Sequence, residues 1–283
     1  MTTLIIDTAD DPTPKLAALK ASGVRTIFGY LSSINPAGGK CRTPARMRAL
    51  AAAGLRAGLV HEGWGGVGGR GISAKDGARD GRYCRVAAIA LGAPRGACVY
   101  FACDWDFSPA QIQASVIPYF KAIRAEFADG FYRVGVYGSG AVCAAVIGAG
   151  FADMSWQAQS RGWLGYSAWL AKANMRQGPE TKIAGLDIDT DTAQGDIGDF
   201  APFAASVKEP ASMTTPAQYA AAAAAAFKVL KADVDAHVPA FFRAEISDAM
   251  LQSLAKGASK AAVDAAAQLK VKQAPQPKET ASP

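Results

Sequence analysis

Short β-rich runs alternate with helical stretches along residues 4–207, and this alternation constrains the fold more than any other feature of the chain. Leu4–Asp7, Thr26–Leu31, Ala57–Glu62, Ala97–Asp104 and Tyr132–Tyr137 read as five strands. They are rich in branched and aromatic residues and bounded by turn formers. The helix over Lys15–Ser22 is entered through Pro12 and Pro14 and ends at Gly23. Thr43-Pro44 and Ser108-Pro109 each set a hydroxyl cap before a proline at the first helical position, and Ser73 caps a further helix reaching about Leu91. Met154–Gln157 is expected as strand six, Ala173–Met175 as strand seven, Ile183–Ile188 as strand eight and Phe200–Val207 as a last helix. Each crossover must travel back along its strand, so the pattern predicts a parallel sheet. Strands four and five are apolar on both faces, as a helix-covered sheet requires. Eight such units in about 200 residues favour an α/β fold of the (β/α)8 TIM-barrel type, somewhat irregular, over an open sheet.

The barrel is assigned to residues 1–207. Residues 208–272 form an Ala-rich extension of different material. Thr215-Pro216 opens one helix and Pro239 separates it from a second. Phe227, Leu230, Val234, Phe241 and Leu251 recur there at near-helical spacing, which suits packing on the barrel or self-association with a second copy. Residues 273–283 are expected to be a flexible C-terminus.

Of the 283 residues, 50% are apolar, which excludes a disordered chain. The net charge of +6 is diffuse and no basic run is interleaved with aromatics, so nucleic acid is not an expected partner. Five cysteines without a CxxC spacing read as buried free thiols of a reducing compartment. No apolar run reaches the ~20 residues of a membrane span. The opening residues have no basic stretch before an apolar core, so no export signal is expected and the sequence reads as cytoplasmic. Action on a cell wall then requires release by another agent, as for a phage or prophage lysin.

Strand ends carry the candidate chemistry, because βα loops gather there in a barrel. Asp7 ends strand one, Glu62 follows His61 on strand three, and Asp104-Trp105-Asp106 closes strand four. Strand eight ends in Asp187-Ile188-Asp189-Thr190-Asp191. Asp104 and Asp106 are two apart, so on an extended strand they face one side, and crowding raises the pKa of one. Glycoside hydrolysis needs that division between a protonated and an ionised carboxyl. Tyr30, Trp64, Trp105, Tyr137, Trp156 and Trp163 offer flat faces suited to sugar rings. Each acid also has a structural reading as a helix cap, and the tryptophans have one as barrel packing. It is the set on strands one, three, four and eight that points to function. Gly66–Gly71 matches GxGxxG but belongs to the third βα unit and lacks a strand-ending acid about 20 residues on, so no dinucleotide is expected. Asp187, Asp189 and Asp191 resemble the start of a calcium loop, but Thr192 stands at position six and Gly198 at position twelve. His61 and His237 lack partners for zinc. No metal or other cofactor is expected.

Ile6-Asp7-Thr8, Phe28-Gly29-Tyr30-Leu31, Tyr100–Asp106, Pro118-Tyr119-Phe120, Val134–Gly140, Trp156–Ser160 and Leu186–Asp189 come in the order found in the glycoside-hydrolase-like domain-of-unknown-function family 1906. Residues 4–200 resemble this family, which is related in fold to the family 25 lysozymes. The resemblance implies a (β/α)8-type barrel with an acidic mouth and a peptidoglycan-like carbohydrate substrate. Family 25 lysozymes carry Asp-x-Glu on strand four, with Glu as general acid. Asp104 and Asp106 stand at those positions. Asp106 is one methylene shorter, and a misplacement of about 1 Å can cost ~100-fold in rate. The first-strand acid matches Asp7, and the late-strand acid matches Asp187 or Asp189.

The expected function is a lysozyme-like muramidase. Asp106 is the general acid in this expectation, and Asp104 stabilises the developing cation. Asp7 and Asp187 hold the other two in place. Glu62, Tyr30, Trp105, Tyr137, Trp156, Gln159 and Asp189 contact the substrate. The rival expectation is a non-catalytic glycan- or wall-binding module of the same fold, and a third is an intracellular hydrolase of another carbohydrate.

Overall fold

The computed structural model of the protein describes residues 4–32, 41–63 and 72–202. Eight strands close into a barrel in chain order. They are β1 (Leu4–Asp7), β2 (Val24–Leu31), β3 (Arg56–His61), β4 (Cys98–Cys103), β5 (Arg133–Gly138), β6 (Met154–Gln157), β7 (Met175–Ile183) and β8 (Leu186–Ala193). β1 to β7 pair in parallel. β8 runs antiparallel to both β7 and β1, which departs from the all-parallel expectation. The cause is local. Ile183 pairs with Leu186 across a two-residue turn. Ala184 and Gly185 both take positive φ, 54° and 82°. That is the turn geometry whose twist matches a hairpin, and it leaves no length for a crossover helix.

The helices are α1 (Leu16–Ala21), α2 (Pro44–Ala53), α3 (Ala74–Ala90), α4 (Pro109–Gln111), α5 (Ile117–Glu126), α6 (Gly140–Gly148) and α7 (Tyr166–Trp169). The caps lie where the sequence puts them. Thr43 accepts from the Arg46 amide at 3.2 Å. Ser73 with Asp76, and Ser108 with Gln111, close reciprocal capping boxes. A π turn over Ile112–Val116 joins α4 to α5 just before Pro118, whose missing N–H interrupts regular helical bonding.

Two apolar layers follow from strand alternation. Facing outward, Ile27, Leu59, Val99, Phe101, Val134 and Val136 pack against Leu19, Leu50, Phe120, Ile123 and Val146 of the helices. Facing inward, Phe28, Tyr100, Met154, Trp156, Met175 and Ile197 fill the barrel. Small residues make room for the large ones. A Cβ on Gly58 would lie 2.3 Å from the Phe28 ring, and one on Gly135 would lie 2.4 Å from Tyr100. Tyr100 is fixed further by donating its hydroxyl to the Ile197 carbonyl at 3.1 Å.

Phe200 does not open a helix. It exchanges two backbone hydrogen bonds with Ala57 in an isolated antiparallel bridge. The chain divides into two units, Met1–Ala205 and Ser206–Pro283, and the described residues all belong to the first. The helical extension, the flexible C-terminus, the self-association expectation, His237, Trp64 and the Gly66–Gly71 loop lie outside the described residues. All five cysteines are free and buried. No helix among the described residues is long and apolar enough to cross a membrane.

Candidate active site

The inward alternation that packs the barrel floor places polar groups one step higher. Tyr137 pairs with Trp156 and Tyr30 with Val60 in the parallel ladders. Asp7 pairs with Asp189, and Gln177 with Asp191, across the two antiparallel ones. Because β8 runs backwards, Asp189 and Asp191 descend into the barrel while Asp187 rises toward the hairpin.

Gln177 organises the cluster. Its Nε2 donates to Asp7 Oδ2 at 3.3 Å and to Asp189 Oδ2 at 3.2 Å. Its Oε1 accepts from the Tyr137 hydroxyl at 2.9 Å, which fixes the orientation of the amide. Tyr30 Oη donates to Asp7 Oδ1 at 3.5 Å, and Gln159 Nε2 to Asp189 Oδ1 at 3.4 Å. Asp191, 7% exposed, has no hydrogen-bond partner on either carboxyl oxygen, and the Trp156 indole N–H beside it is also unpartnered. That N–H is near enough to draw the acid's pKa down, but without hydrogen-bond geometry.

Burial and crowding set the electrostatics. Burial first, then the Asp189 charge, pushes Asp7 up to about 7, against the pull of hydrogen bonds from Gln177 and Tyr30; the Glu62 charge adds to the rise. Burial, then Glu180 and Asp104, raises Asp189 against the Gln159 hydrogen bond. Burial and the nearby Asp7 hold Asp191 far above the ordinary carboxyl range. Tyr30 and Tyr137 are held neutral by burial and by the carboxylates around them, Asp104 among them. The barrel mouth therefore holds several carboxyls whose pKa values are raised, the kind of tuning on which acid–base chemistry draws.

Asp7, Glu62, Asp104 and Asp189, with Tyr30, Tyr137 and Gln159, thus share one electrostatic neighbourhood. The others lie differently. After Cys103 the chain leaves the extended form, with i→i+2 hydrogen bonds from Trp105 to Cys103 and from Phe107 to Trp105. The two-residue spacing of Asp104 and Asp106 therefore does not put them on one strand face. Asp106 is exposed and accepts the Leu164 amide at 2.8 Å. Asp187 is exposed and paired with Lys182, so of the two matches to the late-strand acid it is Asp189 that joins the cluster. Trp105, 41% exposed, stands open at the rim. Trp156, 2% exposed, is a floor residue packed against Phe28, Tyr100 and Tyr137, so its ring is not a stacking face for a ligand.

Two contributors were missed by sequence reasoning. Gln177 was missed because strand seven was ended at Met175. Asp191 stands in the strand-eight acid run but, with a helix cap as plausible as function, sequence gives it no site role. No group of three His, Cys, Asp or Glu among the described residues has metal-binding geometry.

The profile of the Rv2525c-like, glycoside hydrolase-like domains matches residues 17–193. The chain belongs to this family. Its barrel resembles the Mycobacterium tuberculosis Tat-secreted protein Rv2525c, solved in complex with L-tartrate, at a TM-score of 0.59 and 20% identity, over 70% of this chain and 99% of that one. It also resembles an uncharacterised B. stearothermophilus protein at a TM-score of 0.50 and 17% identity, over 68% of this chain and 96% of the other. These likenesses establish the fold. Bacillus subtilis YbfG, an uncharacterised protein, is 29% identical over 155 residues, which are 51% of this chain and 21% of YbfG. The chain therefore spans about a fifth of that relative.

Proposed function

We propose that the protein is a lysozyme-type glycosidase acting on a peptidoglycan-like glycan at the barrel mouth. The observation that carries this reading is Asp7, a carboxyl 3% exposed and held protonated up to about pH 7 amid further carboxyls. Glycosidic cleavage requires one neutral carboxyl and one ionised one. In this reading the anomeric C–O bond breaks as the proton held by Asp7 passes to the leaving oxygen. Water then adds to the anomeric carbon and its proton returns to the carboxylate. Asp104, Asp189 and Glu62 supply negative charge to the oxocarbenium-like transition state. Gln177, Tyr30 and Tyr137 fix the geometry, and Trp105 provides a stacking face at the rim. Asp106 acts through the Leu164 loop rather than as proton donor.

The test is release of reducing ends from purified peptidoglycan. Activity is expected to fall as pH rises through about 7, where Asp7 loses its proton. Asp7→Asn is expected to lower kcat/KM by at least ~100-fold while the protein still folds. A wild type that releases no reducing sugar overturns the catalytic reading.

The engagement of Asp106 with Leu164 favours a second reading, a binding module that holds wall glycan without cutting it. It predicts wall pull-down without cleavage, lost in Trp105→Ala and retained in Asp106→Asn.

A further inference from the structure

The described part of this basic protein pairs its carboxylates with cations almost everywhere outside the mouth. Asp11 meets Arg46, Asp153 meets Arg124, Asp196 meets Arg133, Asp199 meets Arg56, Glu126 meets Arg82, and Asp129 meets Arg85. Even the exposed Asp187 has Lys182. Inside the mouth the pattern reverses. Asp7 and Asp189 receive only the amides of Gln177 and Gln159 and the Tyr30 phenol. Asp191, buried beneath them with both oxygens unpartnered, receives no hydrogen bond. Three carboxyls on adjacent strands β1 and β8 are therefore crowded, desolvated and without a basic partner among the described residues.

Such an arrangement is costly for the empty protein and favourable toward a ligand that brings the missing positive charge. A neutral sugar hydroxyl would relieve hydrogen-bond demand but bring no charge to an ionised carboxylate among them. An anionic group would be repelled by it. The protein's own charge of +6 repels a cation at long range, so attraction to one must come from the local site. Because the described acids lack metal-binding geometry, an organic cation is the better fit.

We propose that the mouth selects a glycan carrying a protonated primary amine, an amino sugar whose nitrogen is not acylated, with Asp189 as the specificity-determining carboxylate. This rests on the glycan reading above and narrows it to a substrate class. Asp189 is half-buried and has Gln159 at its outer oxygen, so an ammonium group can reach it from the rim. Asp7 and Asp191 lie behind it. Occupation by the cation also draws Asp7 downward, so the upper pH limb of any activity on an amine-bearing glycan lies below that on its acetylated counterpart.

The experiment is calorimetric titration of the full chain at pH 6 with a glucosamine pentamer and with the fully N-acetylated pentamer. The free-amine pentamer is expected to bind at least 10-fold more tightly. Asp189→Asn, checked for folding by circular dichroism and thermal melting, is expected to reduce that preference to under 3-fold. If Asp189→Asn does not fold, Gln159→Glu at the rim is expected to raise the preference instead. Equal or tighter binding of the acetylated pentamer overturns this inference and leaves the glycan reading intact. Binding of neither pentamer overturns both. A preference that survives Asp189→Asn undiminished, or is not raised by Gln159→Glu, places the selectivity outside the mouth and overturns the inference.

Discussion

At the closed end of the barrel, Asp199 accepts from Arg56 Nε at 2.6 Å and Nη2 at 2.9 Å, and from the Thr26 hydroxyl at 2.6 Å. At the open end, Asp7 accepts from one amide at 3.3 Å and one phenol at 3.5 Å. Both carboxyls are pushed upward by burial. At Asp199 the guanidinium and hydroxyl win and hold it below the ordinary range. At Asp7 the neutral donors lose, and the carboxyl rises to about 7. One barrel thus uses the same residue type in two ways, as a fixed negative partner where the chain must be clasped and as a proton holder where the fold opens. The difference lies in the guanidinium beside Asp199 and in the deeper burial and neighbouring carboxylates of Asp7.

The comparison can be broken most directly at Asp7. Its folded pKa stands above its ordinary 3.8, so the folded protein keeps a proton that the unfolded chain has released. The resulting penalty is absent below about pH 4, grows between about 4 and 7, and is complete above about 7. Asp7→Asn should therefore stabilise the protein at pH 8 by up to roughly 4 kcal/mol and scarcely at all at pH 4. Urea unfolding at the two pH values measures this; equal gains at both would sink the proton-holder account.

Next in size is the packing that makes the floor rigid. Gly135→Ala drives a methyl into the Tyr100 ring, which Phe28 and Trp156 both meet edge-on. A loss of about 3 kcal/mol is expected in the same unfolding assay. A neutral outcome would show that the inner layer yields.

Asp199→Ala removes the partner of Arg56 and Thr26, with an expected cost of about 2 kcal/mol at pH 7. Its sign is opposite to that of Asp7. The stabilisation is present above the ordinary carboxyl pKa and disappears as pH falls through the depressed one, so wild type and variant should converge in acid. Sugar binding should be unaffected. The smallest effect belongs to Asp187→Ala. Its pair with Lys182 is exposed and screened, so melting temperature and pentamer binding are expected to match the wild type.

Much of this architecture is legible in the residue order. Leu4–Asp7 and Met154–Gln157 have the expected ends, and the Thr43-Pro44 and Ser108-Pro109 openings start their helices as their chemistry requires. The least legible part is the last hairpin. β7 contains Arg176, Gln177, Gly178, Pro179, Glu180, Thr181 and Lys182, with no apolar alternation, because its outer half leaves the barrel as a two-stranded ribbon. Periodicity reports burial, so a strand that buries little carries no such signal. The turn that reverses β8 uses Ala184-Gly185 rather than the asparagine–glycine pair that announces such a turn. The acids at the strand ends could be read as a set. Which ones meet could not, because the bend after Cys103 and the reversal of β8 redirect them.

The ribbon also gives the mouth one wall of a different construction. Among the described residues, the β4, β5 and β6 strands instead leave the barrel through loops that return to helices. Thr181 to Ile183 face Leu186 to Ile188 beyond the barrel's own pairing with β1. Two residues added to each arm would raise this wall by about 7 Å and keep every inward side chain inward. Adding only one to each would turn the new tip's faces over. Cleft depth on this side can therefore change in two-residue steps while the eight-stranded closure below stays untouched.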